Sequence, residues 1–131
     1  MEIIMVDTSA IYALLDQSDN NHEEAKVILG KLSMENVKVI LTNFLVAECH
    51  ALIIGRLGHE LARKWLINFC WEIERITEAD EIRAKEIIYR YSDKSFTYTD
   101  ATTFAVLERL GVKRCFSFDK HFERYGLTFY K

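Results

Sequence analysis

Short apolar runs alternate along this chain with longer segments whose apolar positions recur every three or four residues. Ile3–Val6 is a continuous apolar run, the pattern of a strand buried on both faces. Thr8–Leu15 then reads as a helix, and Asn20 or Asn21 can cap a second one carrying Ala25, Ile28, Leu29 and Leu32 on its inner side. Val37–Leu41 is a second strand. Thr42 or Asn43 caps a third helix running to Gly55, and Gly58 separates a fourth that extends to about Trp71. Ile73–Ile76 is a weak third strand. Glu78–Tyr91 and Asp100–Leu110 are helical, the latter stopped by Gly111. Cys115–Phe118 is a strand, Asp119–Tyr125 a short helix and Thr128–Tyr130 an edge strand.

Strands alternating with helices imply βαβ units around a parallel sheet. No linker, repeat or low-complexity stretch interrupts residues 1–131, so the expectation is a single α/β domain. Half of the residues are apolar or aromatic, enough for a full core, and proline is absent. No apolar run is long enough to span a bilayer, and the opening MEIIMVDTSA has neither the basic region nor the cleavage site of a secretory signal. The three cysteines, Cys49, Cys70 and Cys115, lack zinc-ligand spacing and read as buried thiols in a reducing cytoplasm.

Four carboxylates change this picture. In open parallel sheets, ligands bind outside the carboxyl ends of the strands. Asp7 directly follows the first strand and Asp119 directly follows the Cys115–Phe118 strand, so both should point into one crevice. Glu48 lies on a helix with Phe44, Leu45, Ala51 and Leu52 around it, an apolar stripe with no Lys or Arg in the helix before Arg56. Asp100 continues into Phe104 and Leu107 in the same way. A buried carboxylate needs a cation, a positive partner or a proton. Each acid also has a local explanation: Asp7, Asp100 and Asp119 as helix caps, Glu48 as a rim position reaching water. Taken together, four converging acids fit a hard divalent ion, Mg²⁺ or Mn²⁺ rather than zinc.

Around these acids stand Thr8, Ser9, Asn43 and Ser117, the hydroxyl and amide partners that fix ligand rotamers. The four histidines show no ligand spacing; His50 reads as a packed helix residue, and His121, near Asp119, reads as a surface residue ahead of the alternative of a substrate contact. Asp93 reads as a solvated turn. Net charge is −3, which argues against nucleic acid on its own, but removing four metal-facing charges leaves +1. Basic residues thicken late in the chain, at Lys113, Arg114, Lys120, His121 and Arg124.

The ordered segments VDTSA, TNFLVAE, FTYTDATTFAVLERLGVKR and FSFDKHFERYGL resemble the PIN-domain ribonucleases, most closely the VapC-like toxins of prokaryotic toxin–antitoxin pairs. The match runs over nearly the whole chain and no acidic position is missing. The resemblance implies a three-layer α/β/α fold with a central parallel sheet of four or five strands. It also implies an endoribonuclease in which Asp7, Glu48, Asp100 and Asp119 hold one or two Mg²⁺ or Mn²⁺ ions and Thr8, Ser9, Asn43 and Ser117 support them. Family members leave a 5′-phosphate and a 3′-hydroxyl. Lys94, Arg114, Lys120 and Arg124 are candidates for RNA backbone contacts.

The third helix is apolar nearly all round, and the fourth offers Trp65, Leu66, Phe69 and Trp71. These suggest a homodimer and a groove for an antitoxin segment, against the plainer alternative that the two helices cover each other. Two rival functions are a housekeeping RNA-processing nuclease of the same fold and a non-catalytic RNA- or protein-binding module. A haloacid-dehalogenase phosphatase lacks its Asp-x-Asp, a receiver domain its paired acids and a dinucleotide enzyme its glycine loop.

Overall fold

The computed structural model describes residues 1–131. Five parallel strands form one sheet in the order β3-β2-β1-β4-β5: β1 (Glu2–Val6), β2 (Val37–Thr42), β3 (Glu72–Glu74), β4 (Arg114–Phe116) and β5 (Thr128–Phe129). Seven helices connect them: α1 (Thr8–Leu15), α2 (His22–Met34), α3 (Asn43–Leu57), α4 (His59–Asn68), α5 (Glu78–Arg90), α6 (Tyr98–Leu110) and α7 (Lys120–Tyr125). They lie on both sides of the sheet, as the three-layer α/β/α expectation requires.

The chain winds outward from β1 to β2 and β3, then returns to β1's other side for β4 and β5. The direction therefore reverses between β1 and β4, and the crevice at such a reversal is where ligands bind. Met5 faces Cys115 and Val6 faces Phe116 across this seam. Ile4, Met5, Val6, Cys115 and Phe116 are fully buried, anchoring the crevice on the core.

Local chemistry sets the element ends. Thr42 caps α3 by accepting from the Leu45 N–H. Thr77 and Thr97 open α5 and α6 with reciprocal capping boxes to Asp80 and Asp100. Gly58, at φ +97°, accepts no side chain without strain, and it ends α3 and starts α4 in one residue.

Several expectations need correction. The fourth helix stops at Asn68, short of Trp71, and Cys70 beyond it is exposed, with its thiol donating to the Asn68 carbonyl. α3 is not buried all round. Leu45, Cys49 and Ile53 face the core, while Ala47, Glu48, Ala51 and Gly55 face outward. α3 and α4 pack on each other, so part of the apolar surface is covered within the chain. Trp65 is buried and stacked on Phe69, so most of its ring is covered within the chain. α6 begins at Tyr98, with Thr97 as its cap, so Asp100 lies inside the first turn.

Candidate active site

The four acids line one cleft of about 320 Å³. Each reaches it from a different element. Asp7 is the residue after β1 and caps α1; its Oδ1 accepts from the Ser9 hydroxyl at 2.8 Å and the Ala10 N–H at 3.3 Å. Asp119 caps α7, accepting from the His121 N–H at 2.9 Å. Asp100 stands in the first turn of α6, and Glu48 in the second turn of α3. The local cap reading and the convergent reading hold together for Asp7 and Asp119: capping occupies one oxygen and fixes the rotamer.

Hydroxyls tie the cleft together. Thr8 donates to Glu48 Oε1 at 2.6 Å, joining α1 to α3. Ser9 donates to Asp7 and accepts from the Phe118 N–H at 2.8 Å, joining α1 to the loop after β4. Ser117 accepts from the Asp119 N–H at 2.9 Å and lies 3.3 Å from the Ser9 hydroxyl. Asn43 does not line the cleft. Its Oδ1 accepts from the Ile76 N–H at 2.8 Å and holds the start of α3 to the segment after β3.

Electrostatics record the crowding. Burial pushes Asp7, 3% exposed, up to about 7, against the hydrogen bonds of Ser9, Ser117 and Ala10, and Asp119 adds repulsion. Glu48 is also raised, by desolvation first, opposed by its Thr8 bond and reinforced by Asp100 and Asp119. Glu48 is nonetheless on the rim and touches solvent, which corrects the expectation of a core-facing acid. Its neighbours Ala47 and Ala51 are exposed too. Burial first, then the Asp7 and Glu48 charges, pushes the Cys49 thiol up to about 12, so it stays protonated.

Two further residues enter the site. His121 is only partly exposed: its Nδ1 lies 2.9 Å from Asp100 Oδ2 and 3.7 Å from Asp119 Oδ1, with its ring edge-on to Phe96. Asp100, Asp119 and His121 each offer a ligand atom, all within 4.8 Å of one another, so this group can hold a metal ion. The signal was the spacing Asp119-x-His121 at a helix start. Arg56 lines the cleft two turns along α3 from Glu48.

The basic residues singled out from the sequence lie elsewhere. Lys94 pairs with Asp93 in the turn before α6. Arg114 opens β4 at the amino end of the sheet, bonded to Glu2 at 2.7 Å and stacked over Tyr130. Lys120 and Arg124 are exposed on α7, and Lys120 lines a neighbouring hollow with Asn21 and Ser117.

A sequence profile of the PIN domain matches residues 4–127. The chain belongs to the PIN domain family. A PIN-domain relative, the 23S rRNA-specific endonuclease VapC20 of Mycobacterium tuberculosis, is 30% identical over 130 residues, spanning 96% of each protein. The crystal structure of VapC20, a sarcin-ricin loop cleaving toxin, matches with a TM-score of 0.84 at 27% identity, over 95% of this chain and 96% of that one. VapBC2 from Rickettsia felis, bound to a DNA fragment from its promoter, matches with a TM-score of 0.71 over 98% of this chain and 97% of that one. At 13% identity it shares the fold alone. This PIN domain is thus homologous to a VapC toxin endonuclease, and its acidic cleft stands at the sheet's reversal point.

Proposed function

We propose that this chain is a divalent-metal-dependent endoribonuclease and the toxin of a VapBC-type toxin–antitoxin pair. One observation carries the catalytic part: carboxylates from four separate elements face one cleft, and none of them is paired with a Lys or Arg. A buried acid such as Asp7 without a positive partner is costly unless it is protonated or balanced by a cation. The donor set is dominated by carboxylate oxygen, which suits Mg²⁺ or Mn²⁺.

Asp7, Glu48, Asp100 and Asp119 would hold the ion. A divalent cation bound there supplies Lewis acidity toward water and phosphate. The chain's own groups do the positioning. Ser9 and the Ala10 N–H occupy Asp7 Oδ1, leaving Oδ2 for the cleft. Thr8 holds Glu48 Oε1. The Thr97 N–H and His121 converge on Asp100 Oδ2, leaving Oδ1 free. The cleft walls Leu45, Leu52, Phe118 and Phe122 limit water around the reacting phosphodiester.

The partner proposal rests on a second hollow of about 250 Å³, lined only by apolar residues and Cys70: Ile11, Leu14, Leu15, Trp65, Phe69 and Trp71 among them. It fits the apolar side chains of an antitoxin segment. The homodimer expected from α3 and α4 stands as part of the same proposal, on Leu66 and Ile67, which remain exposed on α4.

The test is incubation with labelled single-stranded RNA, with and without EDTA, for wild type, Asp7→Asn and Asp100→Asn. Cleavage by wild type alone, abolished by EDTA, is the expected result. Equal cleavage by all three proteins would remove these residues from catalysis.

A further inference from the structure

We infer that Arg56 forms a phosphate-binding subsite for the RNA strand, at the end of the cleft two turns of α3 from Glu48. This deepens the nuclease reading and rests on it. The cleft is lined by five carboxylates, from Asp7, Asp19, Glu48, Asp100 and Asp119, and a single cationic side chain, Arg56. In such surroundings an arginine should be ion-paired. Arg56 is not: it makes no salt bridge to any acid of the protein.

The nearby acids already have partners. Asp16 accepts from the Tyr12 hydroxyl and from Ser18, and Asp19 accepts from the Asn21 N–H. The guanidinium instead lies over the Tyr12 ring, 5.2 Å from its centre. Tyr12 is itself buried and held at its hydroxyl by Asp16. The guanidinium also lies beside the Tyr12 hydroxyl, but it carries five N–H donors, and a remaining planar pair matches the oxygens of a phosphate.

Position supplies the second argument. Glu48, Leu52 and Arg56 recur every four residues and all line the cleft, so they share one face of α3. Two turns separate Glu48 from Arg56, about 12 Å along the helix axis. A strand whose scissile phosphate lies among the carboxylates would bring a phosphate a short way along its backbone to the guanidinium. Once cations balance the four acids, Asp19 and Arg56 are the charges left in the cleft, and Arg56 is the one that attracts a phosphate. Such a contact sets the register of the strand without reading its sequence.

The experiment compares wild type, R56Q and R56K. Cleavage of a labelled single-stranded RNA is followed in Mg²⁺ or Mn²⁺, and RNA binding is measured by anisotropy in Ca²⁺, each over a salt series from about 50 to 200 mM. For R56Q the expected result is a KM and Kd raised about tenfold, as for the loss of a charged hydrogen bond, with kcat and melting temperature near wild type. Its salt slope should fall by about 0.7. R56K should keep the slope and recover only part of the affinity, because it lacks the fork. If wild type cuts RNA and R56Q matches it in KM, Kd and slope, the subsite is overturned while the nuclease reading stands. A fall in kcat with KM and Kd unchanged also overturns it. If wild type fails to cut but R56Q loses RNA affinity, the nuclease reading fails and the subsite stands.

Discussion

At the scale of single residues, the cleft is a set of acidic groups that repel one another. Asp7 shows this most plainly. Its carboxyl ordinarily ionises near 3.8, and burial pushes it up to about 7 in the fold. The folded state then binds a proton that the unfolded chain has released. The stability that Asp7 contributes is fully present below 3.8, declines as pH rises toward 7, and is gone above it. Glu48, also raised, adds in the same direction. In EDTA, the protein should therefore melt lower at pH 7.5 than at pH 5. Asp7→Asn has no proton to lose at this site. It should melt higher than wild type at pH 7.5, with a flatter pH profile and no cleavage. Thermal melts across that range check this; a lower melting temperature for the variant would mean that the cap matters more than the charge. His121 is argued from its contact with Asp100. His121→Ala should weaken divalent-ion affinity about 10- to 100-fold, whereas His121→Asn, which can still donate an N–H, should retain most of it. Titration calorimetry with Mn²⁺ measures both.

At the scale of elements, helix starts fold the chain and place the chemistry at once. α5 and α6 open with the same capping box, Thr77 with Asp80 and Thr97 with Asp100. In the first, Asp80 is buried and held by Arg109 of α6, which also reaches Glu74 of β3. Burial, the largest single influence, would raise Asp80; the bonds from Arg109 and from the Thr77 cap together outweigh it and hold the carboxyl below its usual range. In the second, Asp100 faces the cleft. Thr77→Ala and Thr97→Ala should each cost about 1 kcal/mol in denaturant unfolding. Only Thr97→Ala should also lower cleavage per folded molecule, because only its box holds a cleft acid. Arg109→Ala should cost ~3 kcal/mol, since it leaves Asp80 buried and unpaired, with cleavage unchanged. The elements themselves were largely legible from periodicity, and Gly58 and Gly111 marked two ends correctly. The start of α6 was not, because Thr97, Thr99 and Asp100 are all adequate caps by type. The geometry of Thr97 decided among them.

At the scale of the molecule, a metal that binds the fold and not the unfolded chain stabilises it by mass action. Added Mn²⁺ should raise the melting temperature progressively and cancel the acid-side advantage seen in EDTA. Light scattering at high micromolar concentration should report a dimer; a monomer there would remove that part of the proposal. Sequence alone indicated that Asp7 and Asp119 would stand on the same side of the sheet, because parallel strands present the same ends together; β4 stops at Phe116, two residues short of the expected strand, and Asp119 reaches the cleft from the loop beyond it. It also indicated an acidic cleft, since carboxylates near helix starts carry both charge and position in their spacing. Only the tertiary structure decided which other groups reach those acids. Glu48 touches solvent, Asn43 turns away to Ile76, His121 closes on Asp100 and Arg56 enters the cleft. Local pattern fixes the face of an element on which a side chain stands. What lies opposite that face depends on how the elements pack, and residues far apart in the chain carry no local sign of it.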